Sequence, residues 1–112
     1  MNKEAVNYSL GPLERAILKI VWNNDKVCVR HVLDQLADDF NPAYTTIMTI
    51  MNRMVDKGIL VREKPNNTCY YQTSQSKKDF LSNLIEKKME TIINQYGAEV
   101  VPILKQEINH LK

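Results

Sequence analysis

A mostly α-helical chain with one small antiparallel β-sheet is the fold class that three features of this 112-residue sequence predict. Two helix-patterned segments meet at Asn41-Pro42, two β-prone runs flank Pro65-Asn66-Asn67-Thr68, and two amphipathic stretches follow Ser76. The length suits one small domain, or a smaller one with an oligomerisation arm, and the composition is that of an ordinary soluble protein.

Met1 to Ser9 is polar and reads as a frayed leader rather than a signal peptide. Pro12 then suits the first turn of a helix, and Leu13, Ile17, Ile20 and Val21 recur along one side as far as Trp22. Asn23-Asn24-Asp25 supplies turn residues that end this helix. Trp22, the sole tryptophan, is expected to anchor the core there. Val27-Cys28-Val29 is β-prone and short enough for one small strand. A second helix is expected from about Arg30, with Val32, Leu33, Leu36 and Ala37 inside and Asp34, Gln35, Asp38 and Asp39 outside. Pro42 cannot continue a helix from behind, so a tight connection leads into the next one.

That next helix, from Ala43 to Gly58, has two unlike faces. Ile47, Ile50, Met51, Met54 and Val55 form an apolar stripe, and Gly58 is placed to stop the helix. At about 100° per residue, Thr45, Thr49, Asn52 and Asp56 fall near the opposite side, with Met48 and Arg53 on its flanks. A solvated helix face ordinarily carries Lys and Glu, which form helices better than Thr and Asn. Short hydroxyl and amide side chains let a helix approach a flat polar surface such as the major groove of DNA. There Asn pairs with adenine, the Thr methyl meets thymine and Thr hydroxyls reach phosphates. Taken alone, this face is equally consistent with Thr and Asn as plain filler.

The following segments argue for the first reading. Ile59 to Lys64 reads as a strand, Pro65 to Thr68 as a turn, and Cys69 to Thr73 as a returning strand. Two short helices joined tightly, then a hairpin, make a winged helix-turn-helix. Arg62 and Lys64 place positive charge beside a tip formed by Asn66 and Asn67, where a wing would lie along the phosphate backbone. The bland alternative is that they are solvated charges protecting an edge strand.

From Ser76, a plausible cap, Phe80, Leu84, Met89, Ile92, Ile93 and Tyr96 supply the apolar positions of a long helix. After Gly97-Ala98, Val100, Val101, Ile103, Leu104, Ile108 and Leu111 do the same for a last one, with Pro102 in its first turn. These helices follow a domain already closed on itself, so their apolar faces call for a second copy of the chain. The expected organisation is therefore a DNA-binding domain over residues 1–74 and a helical dimerisation region over residues 75–112.

The net charge of +2 is small, and residues 1–74 carry nine Lys and Arg against eight Asp and Glu, so nucleic-acid affinity must come from charge placement and from two copies of the site. Lys19 interrupts the longest apolar run, so no membrane span is expected and the protein should be cytoplasmic. Cys28 and Cys69 lack C-x-x-C spacing and are expected as reduced thiols. In a winged helix the strand after the first helix pairs with the wing's returning strand, which would bring the two cysteines toward each other. His31 and His110 stand on separate elements without partners at ligand spacing, so neither metal nor other cofactor is expected. No nucleophile with a base partner and no glycine-rich phosphate loop points to an enzyme.

With those residues in view, the chain resembles the BlaI/MecI/CopY family of penicillinase and copper-response repressors. Leu10-Gly11-Pro12-Leu13-Glu14 through Val21-Trp22 is similar to the family's opening helix, and Val29 to Leu33 to its second. Tyr44 to Met54 followed by Lys57-Gly58-Ile59-Leu60 is similar to its recognition helix and the start of its wing, with Tyr71 at the returning strand's usual tyrosine. The resemblance implies a homodimeric transcriptional repressor that binds a dyad-symmetric double-stranded DNA operator. It places DNA contacts at Thr45, Thr46, Thr49 and Arg53, with Met48 where several relatives carry arginine. The family's inducers carry over poorly. There is no Asn-Phe bond of the kind cleaved in penicillinase-type members under a membrane sensor protease, and no cysteine after Cys69 for a copper site. Any upstream sensor or protease is left unidentified. The rival expectation, from a different class, is a winged-helix module that docks on protein and binds no operator.

Overall fold

The computed structural model describes residues 6–36 and 40–111. Its elements run α1 (Pro12–Trp22), α2 (Val29–Gln35), α3 (Tyr44–Asp56), β1 (Leu60–Glu63), β2 (Tyr70–Thr73), α4 (Lys77–Tyr96) and α5 (Val100–His110). They form two compact units, residues 1–76 and 77–112.

The first unit is a winged helix-turn-helix. Its core is made by Ile17, Leu18 and Val21 of α1, Val29 and Val32 of α2, Ile47, Met51 and Met54 of α3, and Val27, Ile59, Leu60 and Tyr71 from the segments around the sheet, each no more than 4% exposed. Trp22 is only half-buried. Its indole nitrogen is nevertheless buried, and Ile17, Leu18 and Val21 supply the fully buried side of α1. The α3 stripe packs as its spacing requires: Ile47, Met51 and Met54 are fully buried, and Ile50 and Val55 sit at the margin.

α3 ends in a Schellman arrangement. Gly58 takes a left-handed φ of 81°, its N–H donates to the Val55 carbonyl at 3.0 Å, and the Ile59 N–H donates to Met54 at 3.0 Å. The chain therefore turns directly into β1. The strands pair antiparallel in the register Leu60↔Thr73, Val61↔Gln72, Arg62↔Tyr71 and Glu63↔Tyr70, leaving residues 64–69 as the tip.

Three local expectations change. The short strand at Val27-Cys28-Val29 contracts to one bridge, Val27↔Tyr71, closed by backbone hydrogen bonds of 2.9 and 2.8 Å, and Val29 already opens α2. α2 stops at Gln35, and Leu36 has extended backbone. Carboxylates at Asp34, Asp38 and Asp39 would lie at the negative end of the dipole of any longer helix, which disfavours extension. Ala37, Asp38 and Asp39 themselves, and Met1 to Ala5 of the expected leader, lie outside the described residues. The rest of that leader is docked: Tyr8 is 8% exposed, Gln75 donates to its hydroxyl at 2.9 Å, and the Asn7 N–H donates to the Lys57 carbonyl at 2.8 Å. A tyrosine ring that can bury its body and satisfy its hydroxyl gains enough to order the segment.

The second unit is the pair α4 and α5, in contact with each other and joined through Gly97 at φ 96°. Phe80 is the only buried residue of either helix among those described.

Candidate nucleic-acid interface

α3 presents its outer face beside the wing. Thr45, Thr46, Thr49 and Arg53 are all exposed and, with Ile50, line one shallow depression of about 320 Å³. Met48, 38% exposed, and Asn52 lie on the other flank. That flank borders a larger groove of about 630 Å³ between α3 and the hairpin, which Arg62, Lys64, Asn67, Tyr44 and Tyr71 also line. Asn66 is exposed at the tip, outside that lining. Nine of the ten expected contact residues thus border one of two adjoining hollows, and the tenth caps the wing.

The positive charge of the groove is larger than the expected residues supply. Arg30, in the first turn of α2, also lines it and stacks 5.4 Å from the centroid of the Tyr44 ring. Glu63, the carboxylate between Arg62 and Lys64, is ion-paired with Lys26. Its charge is compensated outside the row of cations. Arg30 had a signal in the sequence: a cation in the first turn of a helix opposes the macrodipole, and such a local mismatch points to a role outside folding.

Asn52 is held differently from the threonines. It is half-buried, and its Oδ1 accepts hydrogen bonds from Arg62 Nη1 at 2.7 Å and from the Tyr71 hydroxyl at 2.9 Å. Burial raises the Tyr71 phenol above its ordinary value, with Cys69 acting in the same direction and Arg62 opposing. Tyr71 therefore stays protonated and remains a donor to Asn52.

Cys28 and Cys69 are free, half-buried, and line the same groove. His31 and His110 belong to no cluster of potential metal ligands among the described residues. No helix among these residues is long and apolar enough to cross a membrane.

The expected dimerisation residues lie on α4 and α5, with Leu111 at the C-cap of α5. Leu84, Met89, Ile92, Ile93, Val100, Val101 and Leu104 are half-buried, and Tyr96, Ile103, Ile108 and Leu111 are exposed. Leu81 and Ile85, absent from the sequence-derived stripe, are exposed as well, Ile85 by 53%. At about 100° per residue both fall between Leu84 and Tyr96 around the helix, inside the arc that the expected residues already span.

Comparison with known proteins gives a consistent picture. The penicillinase repressor family profile matches residues 10–111. Two curated sequences, both named transcriptional regulator BlaI and from two strains of Mycobacterium tuberculosis, are 27% identical over 77 residues, which is 68% of this chain and 56% of theirs. The matched stretch thus spans just over half the length of those relatives. Among solved structures, the solution structure of the DNA binding domain of the repressor BlaI aligns at a TM-score of 0.55 with 21% identity, covering 63% of this chain and 87% of that one. The crystal structure of M. tuberculosis Rv0081 aligns at 0.53 with 14% identity, over 79% and 84% of the two chains. At these identities the structural likenesses establish the winged-helix fold.

Proposed function

The chain belongs to the penicillinase repressor family, and from that membership and the geometry of α3 and the wing we propose that it is a sequence-specific repressor of transcription. It acts as a homodimer on a dyad-symmetric DNA operator in the cytoplasm. In this reading residues 1–74 bind DNA: α3 enters the major groove with Thr45 and Thr49 toward the bases, Thr46 toward a phosphate and Arg53 toward bases or phosphates. Met48 offers an apolar contact where a cation would otherwise reach guanine. Arg62, Lys64, Asn66 and Asn67 track the phosphate backbone, with Arg30 as a further cation.

Residues 75–112 join two copies. Two helices with a single buried residue do not make an independent core, because units below about 40 residues generally need oligomerisation, metals or disulfides. A second copy covers Leu81, Ile85, Tyr96, Ile103, Ile108 and Leu111. A family of repressors also accords with the lack of a catalytic constellation in the sequence.

The observation that carries the proposal is the exposed, carboxylate-free row Thr45, Thr46, Thr49 and Arg53 beside a groove lined by Arg30, Arg62 and Lys64. The test is a salt titration of duplex binding. Each neutralised phosphate contributes about 0.9 to the log–log slope, so affinity should fall steeply with salt and leave a footprint on a selected site. A protein that leaves no footprint at any salt does not recognise an operator.

A further inference from the structure

We infer that Asn52 is a positioning residue that clamps the wing to the recognition helix, rather than a residue that reads a base. The clamp is a contact within the first unit, and its consequence for affinity rests on the DNA-binding reading above.

Arg62 and Tyr71 face each other directly across the hairpin, so their side chains project from the same face of the sheet. Both end on one atom, the Oδ1 of Asn52, ten residues before Arg62 and nineteen before Tyr71. A guanidinium has donors only, so it is the amide oxygen, not the nitrogen, that must face it. A carbonyl oxygen has two lone pairs, and here both are used. Pairing with adenine would need that same oxygen to accept from the base while the amide nitrogen donates. Pairing with adenine would therefore require giving up at least one bond to the wing.

The rung is fixed on its far side as well, since Tyr71 exchanges both backbone hydrogen bonds with Val27, just before α2. Asn52 thus ties α3, the hairpin and the entry to α2 at one point. Beyond the clamp a single further rung, Glu63↔Tyr70, precedes the tip at residues 64–69, so the tip takes its direction from the last two rungs, one of which the clamp holds. Holding that direction before DNA arrives removes part of the ordering cost of binding. Its loss should weaken the phosphate contacts of Lys64, Asn66 and Asn67 on every sequence alike.

The experiment compares Asn52→Ala, Tyr71→Phe and the double variant in the full-length chain. Binding is measured to a duplex selected by the unmodified protein and to a random duplex, and hydrogen exchange at residues 60–73 is followed without DNA. Each single variant should lose roughly five- to tenfold in affinity for both duplexes, with base preference kept. The double variant should be no weaker than the weaker single one. Exchange in the hairpin should rise in all three, and Asn52→Asp, which keeps the accepting oxygen, should restore the protection. The inference is overturned if Asn52→Ala alters preference at one base pair while Tyr71→Phe leaves binding unchanged, or if the two losses add. Should the unmodified protein bind neither duplex, the DNA reading fails, and exchange alone decides the clamp: unchanged exchange in both single variants overturns it.

Discussion

The Lys57 ammonium lies 2.8 Å from Glu14 Oε2, a pair with side chains 25% and 17% exposed that ties the end of α3 to the first turn of α1. The other carboxylate oxygen accepts the Gly11 N–H at 3.0 Å, and Lys57 also donates to the Ser9 carbonyl at 2.9 Å. α3 is thereby held at its far end by the segment that opens the fold. Burial alone would raise the Glu14 carboxyl, but the Gly11 hydrogen bond and Lys57 outweigh it and hold the group below the ordinary 4.5.

Because its folded value is depressed, Glu14 contributes stability that is fully present above about pH 4.5 and is lost as pH falls through the folded value. Glu14→Gln should cost about 1–2 kcal/mol at neutral pH and flatten the acid limb of the stability curve. Denaturant melts between pH 3 and pH 7 check this, and a variant with an unaltered acid limb would remove Glu14 from the account.

Thr49 and Lys64 should separate two kinds of contact. Thr49→Ala should relax base discrimination at one position by about 1 kcal/mol or more, whereas Lys64→Ala should weaken all duplexes about equally and lower the salt slope by about 1. Competition binding between a selected and a random duplex makes the distinction. Equal shifts on both duplexes by both variants would mean that α3 reads no bases.

Ile85 and Ile103 are 53% and 54% exposed, so replacing them with Asp should change the stability of a single chain by only about 0.5 kcal/mol. Ile85→Asp with Ile103→Asp should nevertheless convert a dimer to a monomer and reduce operator affinity sharply, because coupling between half-sites is lost. Analytical ultracentrifugation reads the first effect. A variant that remains dimeric would place the interface elsewhere.

Cys28 and Cys69 share the groove between α3 and the wing, where the proposed duplex would pass. Duplex DNA should slow their alkylation by a bulky maleimide, and raising salt should restore the rate together with dissociation. Alkylation at the same rate in free and bound protein would keep DNA out of that groove.

Much of the fold was legible because it is written locally. Helical spacing identified Ile47, Met51 and Met54, Gly58 marked the stop, and β-prone runs around Pro65 to Thr68 marked the hairpin. What stayed hidden is set by partners distant in sequence. Helical phase put Asn52 on the outer side of α3 but could not reveal that Arg62 and Tyr71 become cross-strand neighbours and meet its oxygen. Docking of Tyr8 depends on Gln75, 67 positions away, and nothing near Tyr8 announces it. The end of α2 was misjudged because its apolar pattern continues past the point where the backbone turns extended at Leu36. Of the cations that line the groove, Arg62 and Lys64 stand together in the hairpin sequence, while Arg30, on a neighbouring helix, joins them only in three dimensions.

The most direct test of base reading by a paired α3 is selection of bound sites from random duplexes with the purified full-length chain. The account predicts an enriched motif with two inverted half-sites whose centres lie about 10 base pairs, or a multiple of that, apart. Enrichment of a single asymmetric site, or of none, would contradict it.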